Sequence, residues 1–188
     1  TRLLSTWEDG KNHSMLALEP VLGGNLEKLI NVRHACPASM KGPQGHLRFG
    51  ELRFIAACVV KGLKHLFEHD VIHRDIKPMN VLLDHRGYAK LVDFGISKPL
   101  QHKTSRTSTF MGTPKFMAPE VAALATANSS GYGMSTDWWS LGVVLLNAFA
   151  GKNPFGGKRM DSGNGYFQGD FVSLEAMVKD SKRFSEEP

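Results

Sequence analysis

The sequence predicts an α+β fold, with strands at the N-terminal end and a helix-rich remainder packed around one central helix. Three observations predict it. Trp138 to Ala150 is apolar on every side, the pattern of a buried helix. From Glu51 to His69, apolar Leu52, Ile55, Val59, Leu63 and Leu66 recur at three- and four-residue steps, the pattern of an amphipathic helix. Met15–Leu18, Val81–Leu83 and Tyr88–Val92 have the length and character of strands, and the last two flank Asp84-His85-Arg86-Gly87 as a hairpin would.

Taken in order, a strand that includes Leu3 and Leu4 precedes the strand Met15–Leu18. Glu19 to Gly24 reads as a linker, because Pro20 lacks a backbone donor and Gly23 and Gly24 let the chain turn. A short helix is expected near Asn25 to Arg33. Residues 34 to 49, with Pro37, Gly42, Pro43 and Gly45, read as a loop. The polar stretch 97 to 116 reads as a long loop. Ser135 or Thr136 is positioned to cap the central helix. Residues 151 to 170 hold seven glycines or prolines and read as mobile, and a last helix is expected near Ser173 to Val178.

The 188 residues suit one domain, and 41% hydrophobic against 22% charged residues is enough to build a core. The longest apolar stretch, Leu141 to Ala150, is broken by Asn147 and is too short to span a bilayer. The first residues lack the apolar core of a signal peptide. Cys36 and Cys58 lack metal-like spacing and read as free thiols in a reducing compartment, so the expected location is cytoplasmic. The net charge of +5 is scattered along the chain, which predicts a solvated surface and no nucleic-acid partner.

The chemistry is concentrated in His73-Arg74-Asp75-Ile76-Lys77-Pro78-Met79-Asn80. Asp93-Phe94-Gly95 begins 18 residues after Asp75, and Asp93 to Glu120 spans 28 residues, ending in Gly112-Thr113-Pro114-Lys115-Phe116-Met117-Ala118-Pro119-Glu120. Each motif alone is weak; a lone Asp-Phe-Gly is usually a turn and a lone His-Arg-Asp a surface charge cluster. In this order and spacing they resemble the catalytic loop, metal-binding loop and activation-segment end of protein kinases. Asp137-Trp138-Trp139-Ser140-Leu141-Gly142 extends the match, and the resemblance implies that Asp137 anchors the catalytic loop. Lys77 and the Gly112-Thr113 pair resemble serine/threonine rather than tyrosine kinases. Leu83 to Gly95 and Thr109 to Pro114 are similar to the AGC group, above all the cyclic-GMP-dependent kinases.

The resemblance implies a protein-kinase-like fold. Residues 1–18 would be the end of the small lobe, 19–24 the hinge, and 25–188 a large lobe incomplete at its C-terminus. It implies ATP and Mg²⁺ as cofactors and Ser/Thr of protein substrates as acceptors. Asp75 would orient the substrate hydroxyl and accept its proton, and Lys77 would place positive charge by the γ-phosphate. Asn80 and Asp93 would give Mg²⁺ the hard oxygen ligands it prefers. The Glu19 carbonyl and Val21 N–H would pair with adenine, Leu18 would be the gatekeeper and Leu82 would lie under the ring; for Leu18 and Leu82, plain core packing coexists with these roles. Thr109 would carry an activating phosphate, set by an upstream kinase and bridging Arg74 and Lys98.

The family's Gly-rich loop, β3 lysine and αC glutamate are expected before Leu3, outside this sequence, as are the final helices beyond its end. The fragment alone is therefore expected to be inactive, with an exposed apolar face where the small lobe docks. The glutamates with which AGC kinases select upstream arginine are replaced by Asn25, Met79, Lys115 and Asn147, which predicts weak arginine selection. Phe110, Pro114 and Met117 resemble an apolar wall for the residue after the target. Two alternatives are a kinase-like binding module and a small-molecule phosphotransferase. Intact Asp75, Lys77, Asn80 and Asp93 oppose the first; the His-Arg-Asp form and the Ala118-Pro119-Glu120 ending oppose the second.

Overall fold

The computed structural model describes residues 1–8, 10, 13–35, 47–126, 130–151, 153 and 155. Cys36, most of the 34–49 loop, nearly all of 151–170 and the helix expected at Ser173–Val178 lie outside the described residues.

Strands β1 (Leu3–Glu8) and β2 (Ser14–Leu18) form an antiparallel ribbon. Its apolar side chains Leu3, Leu4, Trp7, Met15, Leu16 and Leu18 are all exposed. The chain then passes through residues 19–24 into α1 (Leu26–Ala35). Asn25 starts α1 by accepting the Lys28 N–H on its side-chain oxygen at 2.8 Å, a cap that satisfies one of the helix's orphan donors.

Helix α2 (Phe49–Glu68) begins two residues before the expected position, with the Glu51 carboxylate accepting the Arg48 N–H at 2.8 Å. Ile55, Val59 and Leu63 turn inward, as their four-residue spacing requires. Against them pack Leu26 and Ile30 of α1, the hairpin of β4 (Val81–Leu83) and β5 (Ala89–Leu91), and Leu141, Val144 and Ala148 of α4 (Ser135–Ala150), which follows the one-turn α3 (Pro119–Ala122). Each fully buried aliphatic side chain contributes about 1.5–3 kcal/mol. Ile76 joins this core at 1% exposure and so pins the loop that carries Asp75 and Lys77.

Four expectations need correction. Stretch 97–116 is not one long loop: β6 (Lys98–Pro99) pairs with β3 (Val71–Ile72), and Thr107 and Tyr132 exchange backbone hydrogen bonds at 2.9 Å. Polar composition hid these pairings, which need partners far away in sequence. Neither Ser135 nor Thr136 caps α4; Met134 holds the cap position, and the Thr136 hydroxyl donates back to the Gly133 carbonyl at 3.0 Å. Trp138 and Leu146 of α4 remain 40% and 52% exposed, so the helix is not buried on every side. The second hairpin strand is Ala89–Leu91, shorter than Tyr88–Val92, with Tyr88 exposed.

Gly23 is required by proximity rather than by its own torsion. Its N–H donates to the Leu83 carbonyl at 2.8 Å, and a Cβ there would lie 2.5 Å from that oxygen. Gly24, at φ +81°, makes the turn, and its carbonyl accepts the Leu83 N–H. Residues 19–24 are thereby latched to β4.

Candidate active site

The loop from His73 to Asn80 leaves β3 and enters β4 through a 3-10 turn at Pro78–Asn80. Its conformation is held from α4. The Asp137 carboxylate, 4% exposed, accepts the His73 N–H at 2.7 Å and the Arg74 N–H at 2.9 Å. Burial pushes the Asp137 carboxyl up to about 6, with the two N–H donors and the Arg74 charge opposing it. Arg74 lies at φ +70°, a left-handed conformation costly for a residue with a Cβ, and the hydrogen bonds from its own N–H and that of His73 to Asp137 hold it there.

His73 is fully buried. Its Nε2 lies 3.1 Å from the Val92 carbonyl, which can only accept, so Nε2 carries the proton. Nδ1 then faces the Asp75 N–H at 3.4 Å as an acceptor. Burial holds the imidazole below its ordinary pKa, against the Val92 hydrogen bond, which keeps it neutral. The ring packs on Phe94 at 4.9 Å between centroids, and the His73 carbonyl accepts the Ser97 hydroxyl. His73 thus joins the catalytic-loop segment to the Asp93-Phe94-Gly95 segment.

The Asp75 carboxylate meets three donors. Lys77 Nζ lies 2.7 Å from Oδ2, the Thr113 hydroxyl donates to Oδ1 at 2.6 Å, and Asn80 Nδ2 donates to Oδ2 at 3.0 Å. Burial acts to raise the Asp75 pKa, but the Lys77 and Thr113 hydrogen bonds, the Lys77 charge and Asn80 outweigh it, and the net shift is downward. Lys77 also donates to Thr113 Oγ1 at 3.1 Å, closing a triangle. Gly112 permits the approach of the activation-segment end: at φ +121°, its absent Cβ would lie 2.6 Å from the Arg74 carbonyl.

Asp93 is exposed at φ +64°, and its carboxylate faces the Gly95 N–H at 3.4 Å. The Val92 N–H donates to the Asn80 carbonyl at 3.1 Å, which sets the Asp93 and Asn80 segments side by side. No group of three or more His, Cys, Asp or Glu is gathered among the described residues. The exposed Asp93 carboxylate and an amide oxygen on the adjoining Asn80 segment are instead a sparse oxygen set, which fits Mg²⁺, an ion that usually keeps waters and substrate phosphates in its shell.

The Glu19 side chain is engaged structurally. It accepts Lys90 Nζ and the Arg2 N–H, each at 3.0 Å, and the Lys90 hydrogen bond holds its carboxyl below the usual range. Leu18 is exposed and Leu82 half-buried. In the activation segment Thr109 is exposed, and Lys98 Nζ reaches the neighbouring buried Thr107 hydroxyl at 3.0 Å rather than Thr109 itself. Arg74 Nε donates to the Ile96 carbonyl, while Arg74 Nη1 is buried without a hydrogen-bond partner among the described residues. Met117 is not part of a surface wall: it is buried with Ala118, Val121 and Tyr132.

Residues 1–187 match the family model described as protein kinase domain. Over 156 residues the chain is 39% identical to cGMP-dependent protein kinase, isozyme 2 forms cD5/T2, of Drosophila melanogaster, covering 83% of this chain and 15% of that protein. It is 46% identical over 111 residues to serine/threonine-protein kinase N2 of Danio rerio, covering 58% of this chain and 11% of the relative. The chain belongs to the protein kinase family. Protein kinase 2 of Dictyostelium discoideum is 44% identical over 110 residues, 57% of this chain and 22% of its own length. The kinase chain thus spans only a small part of the curated relatives it matches.

Within this kinase chain, two residues of the site do more than their motif positions indicate. Thr113, a family marker by sequence, touches both Asp75 and Lys77. His73 was only the first letter of a motif. Its neighbours, apolar Val71 and Ile72 before it and charged Arg74 and Asp75 after it, do not mark it as buried; only the fold shows that both ring nitrogens find partners.

Proposed function

We propose that the protein to which this chain belongs is a serine/threonine protein kinase that transfers the γ-phosphate of ATP to Ser or Thr of protein substrates. The observation that carries the reading is the Asp75 carboxylate held between Lys77, Thr113 and Asn80 in a loop anchored by Asp137. Its lowered pKa keeps Asp75 ionised at neutral pH, so it can accept a hydrogen bond from a substrate hydroxyl and aim it. As the hydroxyl oxygen bonds to the γ-phosphorus, its proton passes to Asp75 and the β–γ bridging oxygen leaves with the electron pair. Lys77, 2.7 Å from Asp75, places positive charge beside the transferring group and offsets its charge. Asn80 and Asp93 would hold Mg²⁺, which would neutralise charge on the triphosphate.

Adenine lies against Leu18 and Leu82, with the Glu19 carbonyl and Val21 N–H as its polar partners. Among the described residues neither of these two backbone groups is used by another hydrogen bond. Residues 1–18, 19–24 and 25–188 serve as small-lobe end, hinge and large lobe. The enzyme is of AGC type and intracellular. An upstream kinase activates it by phosphorylating Thr109; the Lys98 ammonium, held on the Thr107 hydroxyl two residues away, supports this reading. Residues 1–188 alone are inactive, because in this family the triphosphate also needs the Gly-rich loop and β3 lysine.

Steady-state kinetics of the full-length enzyme test the roles. Asp75→Asn should lower kcat by about 10²-fold or more with little change in nucleotide binding, and Asp93→Asn should remove Mg²⁺-dependent turnover together with nucleotide affinity. Equal loss of nucleotide affinity in both variants would show the roles are wrongly divided.

A further inference from the structure

Away from the active site, a groove runs between α2 and the β4–β5 hairpin. It holds about 570 Å³ and is lined by Phe54, Cys58, Lys61, Asp84, Arg86 and Tyr88, with small Ala57 and Ala89 in its walls. Three cavities around Asp137 and Arg74 hold about 10 Å³ each and admit nothing larger than water. The groove has the size of sites that take ligands, about 300–1,000 Å³.

Its chemistry is divided. Phe54 from α2 and Tyr88 from the hairpin meet at 5.1 Å between ring centroids, making an aromatic floor that stays exposed. Lys61 stands on the helix side and Arg86 on the hairpin side, its guanidinium 5.1 Å from the Tyr88 ring centroid. Among the described residues neither cation has a carboxylate partner. The two acidic groups nearby are already engaged. Asp84 Oδ1 accepts the N–H groups of Arg86 at 2.9 Å and Tyr88 at 3.0 Å, and Glu19 is paired with Lys90.

We infer that this groove is a docking site for an extended acidic peptide of a partner protein, in which an apolar side chain lies between two carboxylates. The apolar side chain packs on Phe54, Cys58 and Tyr88, and the carboxylates meet Lys61 and Arg86. Charge complementarity selects this occupant. A nucleic-acid strand also uses cations and aromatic rings, but it needs cations along a phosphate track. Here the groove has two cations without a carboxylate partner among the described residues, a third, Lys90, paired with Glu19, and a carboxylate on its lip. The surface lies on α2 and the hairpin turn, so it serves recognition and is independent of the phosphoryl-transfer reading.

The test measures binding without ATP, so its failure and a failure of the kinase reading are separate results. Fluorescein-labelled peptides with leucine between two glutamates are titrated into the full-length protein by anisotropy, beside a glutamine counterpart and a short oligo(dT). The glutamate peptide should bind saturably, and the double reversal Lys61→Glu/Arg86→Glu should weaken it roughly tenfold or more. Lys64→Glu, an exposed change on α2 outside the groove, should not. The same peptide should slow bromobimane labelling of Cys58, a half-buried free thiol in the groove. Three results overturn the inference: equal affinity for the glutamate and glutamine peptides, Cys58 labelling unaffected by peptide, or reversal-sensitive binding of oligo(dT) alone.

Discussion

Asp137→Asn separates the stability of the kinase chain from its catalytic geometry. The carboxylate offers two acceptors to two backbone donors, at 2.7 Å from His73 and 2.9 Å from Arg74. Asparagine offers one acceptor and one NH₂, so one buried N–H then faces a donor. An unsatisfied buried donor costs about 1–3 kcal/mol. The opposing effect is the charge itself. With its folded pKa pushed from 3.8 up to about 6, keeping Asp137 ionised at neutral pH costs about 3 kcal/mol. A folded pKa above the unfolded one means stability that is fully present below pH ~4 and is lost as pH rises through about 6. The Asn variant lacks that loss. Relative to the variant, the wild type should therefore lose about 1 kcal/mol of stability between pH 5 and 7.5. Activity should behave differently: with Arg74 at φ +70° released on one side, Asp75 moves, and a misplacement of about 1 Å costs on the order of 10²-fold in rate. Urea melts at the two pH values and kcat at pH 7.5, on full-length enzyme, measure both. A stability gap independent of pH, or a variant with wild-type kcat, would refute the reasoning.

Gly112→Ala should lower kcat/KM by about 10²-fold, because a Cβ at φ +121° would lie 2.6 Å from the Arg74 carbonyl and must push the Thr113–Asp75 contact apart; a loss under threefold in the same assay would contradict this. Thr109→Ala should remove most activity, and mass spectrometry of the active enzyme should find phosphate on Thr109; its absence, with full activity in the variant, would end the proposal. A positional-scanning peptide array should show weak selection for upstream arginine, since Asn25, Met79 and Asn147 carry no charge and Lys115 repels a guanidinium. It should also show a preference for an apolar residue after the target, now resting on Phe110 and Pro114 without buried Met117. Strong arginine selection two or three residues upstream would overturn this.

Asn25 illustrates how one residue can answer to two demands. As a replaced glutamate it suggests altered substrate choice, yet its side chain caps α1 through the Lys28 N–H. Either reason alone is sufficient for an asparagine, so the array result should be attributed by testing Asn25→Asp, which keeps the cap and restores a charge.

Local signals carried most of the helices and the hairpin, because side-chain periodicity and turn chemistry act over a few residues. The α2 stripe of Ile55, Val59 and Leu63 and the β4–β5 turn at Asp84 needed no distant information. The sequence by itself also determined the order and spacing of Asp75, Lys77, Asn80 and Asp93, and hence the family. Only the tertiary structure decided that Thr113 closes on Asp75 across 38 residues, that Lys98 reaches Thr107, and that β3 pairs with β6. It also decided that Met117 is core and that Trp138 and Leu146 are exposed. The physical reason is that hydrogen-bond partners of isolated polar side chains, and the face of an all-apolar helix that meets solvent, are set by chain segments distant in sequence, which no local pattern encodes.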